Sequence, residues 1–298
     1  MEKEELKAYL KAGEITGEMQ EYSAKNLKVG DNLFEFAEKV EEKIIKKGGF
    51  PAFPINLSVN DVAAHYTPAF ESEDILGEND VMKVDIGVHV DGYICDSAQT
   101  IDYGNNHKEM VEASSQALEE AIKLVEKNST IGEMGKKIEE TIKGKGFKPI
   151  QNLSGHGVQQ YDAHTYPTIP NIDNNDSKEL EDDMVIAIEP FATNGEGFVK
   201  EGAQAEIFQL EEKKGVRSME ARKLLDFIDE NYGTLPFAER WVQRDLKISE
   251  FGRKVGLREL MQKKCITAFP LLKEQEGSIV TQKETTLVLE NGNIHRLL

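Results

Sequence analysis

Apolar residues along this chain change their period several times, and the changes come in a repeated order. Between Leu33 and Lys47, the residues Leu33, Phe36, Ala37, Val40 and Ile44 recur at the spacing of one helix face, and Gly48-Gly49 follows as a stop. A charged segment from about Lys3 to Lys28 predicts a helix before it. Strand-like segments run from there to Ile101. The same programme then restarts, with helices near Glu109 to Lys127 and Ile131 to Lys143, a stop at Gly144 and Gly146, and strands from about Ile150.

Local wording repeats with this order. KVEEKI, from Lys39 to Ile44, is matched by KIEETI, from Lys137 to Ile142, 98 positions later, and Asn56-Leu57-Ser58 by Asn152-Leu153-Ser154. Lys/Glu-rich amphipathic helices resemble one another without common origin, but the shared order favours a duplicated half, and a duplicated fold offers a site between its halves. From about Glu211 to Glu274 the pattern turns helical and charged, through SMEARKLLDFIDENYG and ISEFGRKVGLRELMQKK, before strand character returns at Gly277 to Leu289. The expectation is one domain over 1–298 carrying a helical insertion subdomain at 211–274, about 60 residues, near the lower limit of domain size.

The segment VMKVDIGVHVDGYICDSAQT alternates Val84, Ile86, Val88 and Val90 and contains Asp91-Gly92, the pair that suits a two-residue hairpin turn. If Val90 pairs with Tyr93, Gly87 pairs with Asp96, and Asp96 shares a sheet face with Asp85. Gly87 leaves no side chain between the two carboxylates. The pair alone is also compatible with a half-exposed strand and a strand-end turn residue.

Candidate partners come from the second half. LSGHGV sets His156 between two glycines, with His164 eight residues on, although a lone histidine is more often a hydrogen-bonded structural residue. In MVIAIEP an apolar strand is interrupted by Glu189, whose buried charge would need a cation or a proton, unless it faces solvent at the strand end. Glu284 in IVTQKETTLVLE poses the same question, with Thr286 on its face. Four carboxylates and one imidazole form a mainly oxygen donor set suited to two cations such as Mn²⁺, Fe²⁺, Co²⁺ or Zn²⁺, which activate water and polarise carbonyls.

Composition narrows the setting. Hydrophobic residues at 39% and charged residues at 30% describe a folded chain. A net charge of −18 disfavours binding to nucleic acid or an anionic membrane. Cys95 and Cys265 fit neither a disulfide framework nor a CxxC zinc site, the charged N-terminal segment lacks the apolar core of a signal peptide, and no stretch is long enough to span a membrane. A cytoplasmic protein is expected.

Over nearly its whole length the sequence resembles the type 2 methionine aminopeptidases, the archaeal form in particular. The resemblance rests on FPINLSVNDVAAHYTP (Phe53 to Pro68), VDIGVHVDGYICDSAQT, NLSGHGVQQYDAH, AIEPFAT, LPFAERW and GSIVTQKETT. It implies an α+β pita-bread (creatinase/aminopeptidase-like) fold with two pseudo-symmetric αβ halves, and two divalent metal ions. Asp85 would bind one ion, His156 and Glu189 the other, and Asp96 and Glu284 both. Glu189 would also handle the proton of the attacking water, His65 would contact the scissile amide, and His164 would hydrogen-bond substrate. The insertion marks type 2 and helps wall the methionine pocket, where Phe53 and Phe269 would lie, though either residue also reads as core packing. Two departures stand out: Lys283-Glu284-Thr285-Thr286 where many relatives read FEHT, and Gln204 to Gln209, a poor match to a pocket strand. The implied activity is removal of the initiator methionine from nascent proteins before a small second residue, with the ribosome as a further partner. An X-Pro aminopeptidase or prolidase, and a non-catalytic binding homologue, are the alternatives that the fold would also permit.

Overall fold

A computed structural model describes residues 1–125 and 129–298, so the expected helix end at Lys127 lies outside the described residues. The four anticipated helices form as Lys3–Asn26, Leu33–Lys46, Lys108–Val125 and Ile131–Gly144. Their ends follow from local chemistry. Glu2 and Glu5 form a capping box on the first helix. Asn32 and Thr130 each accept the amide of the glutamate three residues on, Glu35 and Glu133, which satisfies a donor the helix itself leaves free.

The second helix of each half shares every landmark at a constant offset of 98 positions. The cap, the first-turn glutamate, the 14-residue length and the positive-φ glycine after it (Gly48 and Gly146, both at φ +86°) all correspond. So do the two-residue strands Phe50–Pro51 and Lys148–Pro149 and the first residues of the strands Asn56–Val59 and Ser154–Gln159. The Asn-Leu-Ser words do not: the first lies within its strand, whereas the second only reaches its strand at Ser154. The duplication is written in caps and lengths, not in that triplet.

In the first half, Val81–Val90 and Tyr93–Asp102 form an antiparallel hairpin flanked by Asn56–Val59 and Phe50–Pro51. Asp91 and Gly92 turn it at φ +52° and +85°, positive at both central positions as this tight turn demands. Val84, Ile86 and Val88 pack with Ile15, Met19, Phe36, Val40 and Ile44 of the first two helices. In the second half a five-stranded sheet runs Asn293–Arg296, Thr285–Glu290, Val185–Ile188, Ser154–Gln159, Asp162–Pro170. Ile169, Ile186, Ile188, Leu287 and Leu289 pack on the other helix pair through residues including Ala117, Leu118, Met134 and Ile138. Each such aliphatic side chain contributes roughly 1.5–3 kcal/mol on burial, so the apolar faces decide which side of each sheet the helices cover.

The two sheets meet where Tyr93–Asp102 runs beside Glu284–Thr286. Asp96 N–H donates to Thr286 Oγ1 (2.8 Å), Glu284 N–H to the Ala98 carbonyl (3.0 Å), and Ser97 Oγ to the Glu284 carbonyl (3.0 Å).

The 211–274 segment contains the helices Met219–Asn231, Glu239–Asp245 and Glu250–Gln262, and it is less purely helical than its sequence suggests. Ile207–Leu210 pairs with Phe237–Ala238 and Ile266–Phe269, and Phe208, Leu224, Ile228, Phe237, Trp241 and Leu260 form a core of their own. Strands of two to four residues are too short for alternation to show. The chain returns through Leu272–Lys273, which pairs with Val62–Ala64 beside His65. Among the described residues no helix is long and apolar enough to cross a membrane.

Candidate metal centre

Register brings the carboxylates together. Gly87 stands opposite Asp96 and Asp85 opposite Ala98, so both aspartates share a face as the hairpin pattern requires. A Cβ on Gly87 would fall 2.2 Å from the Phe53 ring, so glycine there makes room for the phenyl ring beside the acids. Ile188 pairs with Thr285, and one step further along that ladder Glu189 faces Glu284. His156 pairs with Ala187 on the adjoining strand. A Cβ on Gly157 would sit 2.0 Å from the Tyr166 carbonyl oxygen, so this glycine serves the close approach of a neighbouring strand more than freedom around the imidazole.

Asp96, His156 and Glu284 each present a ligand atom within 4.8 Å of the others. His156 Nε2 lies 3.6 Å from Asp96 Oδ2 and 3.9 Å from Glu189 Oε1. Its Nδ1 is 3.1 Å from the Gly157 carbonyl; a proton held there leaves the Nε2 lone pair facing the acids. The Gln282 amide donates to Glu189 Oε2 (3.3 Å) and Glu284 Oε2 (3.2 Å), tying two carboxylates side by side.

Such a cluster is costly without positive charge. Burial pushes the Asp85 carboxyl up to about 7. Burial first, and then the neighbouring carboxylates, hold Asp96, Glu189 and Glu284 well above the ordinary range. Burial also pushes His156 down to about 4, so its imidazole is neutral at pH 7 and adds no cation. Asp85 Oδ1 and Asp96 Oδ1 are buried without a hydrogen-bond partner. Orphaned oxygens, four crowded carboxyls and a neutral imidazole make a donor set that fits divalent cations.

All nine residues singled out in the sequence line one cavity of about 360 Å³. Phe53 and Phe269 stand in its wall with His65 and His164. The His65 backbone is left-handed at φ +66°, a conformation costing about 1–2 kcal/mol for a non-glycine residue and held only by its surroundings. Its Nδ1 lies 3.1 Å from the Pro270 carbonyl, and its ring meets Phe269 edge-on at 5.5 Å. The His164 ring is 4.5 Å from that of His156. His65 and His164 are both held below the ordinary histidine range, chiefly by the low-dielectric wall, and for His164 also by the other two imidazoles.

Sequence reading overlooked Gln282, Asn56, Ile207 and Pro236, all but Gln282 in the cavity wall. Gln282 was accessible in principle, because stepping back two residues from Glu284 along an extended segment keeps the same face. Asn56 faces Asp85 across a strand pair joined by a long excursion. Ile207 lies within the 204–209 segment that matched the pocket strand poorly. A wider groove of about 900 Å³, lined by Phe50, Tyr161, Leu235 and Trp241, holds none of the five candidate ligands, so size does not mark the chemical site here.

The model of the metallopeptidase family M24 matches residues 7–220. A methionine aminopeptidase of Methanocaldococcus jannaschii is 44% identical over 293 residues, covering 98% of both chains. A solved thermophilic Arx1 superposes with a TM-score of 0.87 at 16% identity, over all of this chain and 91% of its own. The methionine aminopeptidase of Thermotoga maritima does so with a TM-score of 0.71 at 22% identity, over all of this chain and 97% of its own. These two structural likenesses carry the fold alone, the paired αβ halves that the duplication implied.

Proposed function

Because the chain belongs to metallopeptidase family M24, we propose that it is a type 2 methionine aminopeptidase, removing the N-terminal methionine of proteins and peptides by metal-dependent hydrolysis. The observation that carries this reading is the convergence, in one cavity, of the five-residue donor set with an aromatic recess of Phe53 and Phe269. We assign Asp85 to one cation, His156 and Glu189 to a second, and Asp96 and Glu284 to both. Bound there, two divalent cations supply Lewis-acid polarisation of the scissile carbonyl and lower the pKa of water. Manganese, cobalt, iron and zinc all suit a set of four carboxylates and one imidazole.

The protein's own groups do the rest. Glu189, the more solvent-accessible of the paired glutamates, takes the proton of the attacking water. His65 faces the scissile amide and His164 hydrogen-bonds the substrate backbone, and their neutrality at pH 7 suits donation without a fixed charge. Phe53 and Phe269 take the methionine side chain, and the enzyme prefers a small second residue. We read residues 1–298 as one catalytic domain with 211–274 as its insertion subdomain, a division supported by the separate core around Trp241. The enzyme would act in the cytoplasm on nascent chains at the ribosome, where initiator methionines first become accessible.

A peptide panel tests the assignment. With Mn²⁺ or Co²⁺ the purified protein releases methionine from Met-Ala-Ser and leaves Xaa-Pro peptides intact. Preferential cleavage before proline makes it a prolidase-like enzyme, and metal binding or its absence with no cleavage makes it a binding homologue.

A further inference from the structure

LPFAERW, one of the motifs that carry the resemblance, takes no part in the chemistry above, yet it contains a fully buried arginine just before its final tryptophan. Arg240 is 1% exposed and leaves the insertion through the helix Glu239–Asp245. Its guanidinium is fully committed to groups of the first half. Nη2 donates to Glu41, Nε to Glu38 (3.1 Å), and Nη1 to Thr67 Oγ1 and the Pro68 carbonyl (3.4 Å). Glu41 is itself 3% exposed; its Oε2 accepts the Trp241 indole N–H (2.8 Å) and its Oε1 the Ile55 amide (3.2 Å).

This ion pair touches two of the segments that wall the cavity. Ile55 stands between Phe53 and Asn56, and Thr67 is two residues beyond His65. A buried ion pair is a poor device for stability alone, since apolar side chains of the same volume do as well or better; its attested use is to fix one arrangement among several. His65 requires such fixing, because its left-handed backbone persists only where the surroundings dictate it. Before His65, Ala64 pairs with Leu272; its ring meets Pro270; after it, Thr67 and Pro68 meet Arg240.

We propose that Arg240, anchored by Glu41, is a positioning residue for the reaction, holding the His65 imidazole at the cavity through Thr67 and Pro68. The proposal rests on the hydrolytic role given to His65 above. It assigns to the insertion a task besides walling the pocket: it sets the geometry of a residue in the first half.

Removing Arg240 would leave Glu41 buried and unpaired and risks the fold, so the link is cut at Thr67 instead. Thr67→Val keeps the shape and removes the hydroxyl, whereas Thr67→Ser keeps the hydroxyl. Metal content, melting curves, and kcat and KM on the peptide panel are measured for both, and for Thr67→Val in a His65→Ala background. Thr67→Val should retain metal and lose about tenfold in kcat with KM changed less than twofold, as a small misplacement of a reacting group does. Thr67→Ser should recover most of that loss, and Thr67→Val should cost nothing further once His65 is alanine. Wild-type kcat in Thr67→Val, equal losses in Thr67→Val and Thr67→Ser, or a full additional loss in the His65→Ala background overturns the proposal. The wild-type panel judges the methionine reading separately. If another peptide is preferred, the same variants measured on it still decide the clamp, and a wild type that cleaves nothing ends both.

Discussion

Asp96 and His65 line the same cavity and answer to different demands. Asp96 has an orphaned buried oxygen and lies 3.6 Å from His156 Nε2, whereas His65 turns its Nδ1 to the Pro270 carbonyl. Asp96→Asn therefore abolishes metal binding, read by elemental analysis of the purified protein. His65→Ala keeps the metal and slows turnover by about 10²-fold or more, the usual scale for a side chain that acts on a proton in the transition state; loss of metal in that variant would move His65 into the ligand set. The pH response follows from the same carboxyls. In the unfolded chain they ionise near 4, whereas in the metal-free fold Asp85 holds its proton to about 7 and Asp96, Glu189 and Glu284 are raised as well. The folded state binds the extra protons, so stability falls as pH rises through this window. Between about pH 5 and 6.5 the neutral buried imidazoles of His65, His156 and His164 act in the opposite sense, since the unfolded chain protonates them there. Above that range the carboxyls act alone, so calorimetry of metal-free protein should show Tm decreasing from about pH 7 to pH 8, with a flatter slope in Asp85→Asn and the largest recovery on adding Mn²⁺ at pH 8.

Among elements, the hairpin was legible from sequence because period-two alternation and an Asp-Gly turn leave a single register, and that register fixes which faces Asp85 and Asp96 share. The strands carrying His156, Glu189 and Glu284 offered no comparable rule. The register of the His156 strand shifts twice directly after His156, and Glu189 and Glu284 lie at strand ends, so family resemblance and not periodicity joined them to the pair. The Arg240 clamp stayed hidden because its partners lie 172 to 202 residues away in sequence and no local pattern encodes them, whereas for Gln282 only the link to Glu189, 93 residues away, lay beyond local reading. The glycine beside His156 gives a test at this scale. Gly157→Ala places a methyl against the Tyr166 carbonyl and must push the two strands apart, costing about 1–3 kcal/mol in urea unfolding and weakening metal binding together. Unchanged stability and metal affinity would show that the strands can shift without disturbing His156.

For the whole molecule, the duplication read from KVEEKI and KIEETI is confirmed by caps and turns at one offset, and the insertion is the part where composition misled, since its short strands hide among charged helices. Asp85 and Asp96 belong to the first sheet, and His156, Glu189 and Glu284 stand on strands of the second or at their ends. Cations held between the two should therefore stabilise the joint as well as the site. Saturating Mn²⁺ at about a hundred times its Kd adds roughly 2.7 kcal/mol to unfolding, and that increment should disappear in Glu284→Gln, measured by denaturant titration with and without metal. Persistence of the full increment would place the ions elsewhere.

The insertion lies between Glu189 and Glu284, and this placement has a consequence in time. A chain synthesised from its N-terminus acquires Asp85 and Asp96 early, His156 and Glu189 next, and Glu284 only after the three helices and short strands of the insertion have been made. Arg240, which reaches back to steady the His65 loop, arrives in that same late interval. A half-made copy carries recognisable pieces of the centre but cannot close it. An enzyme that removes N-terminal methionine thus becomes competent only after its own insertion has been made.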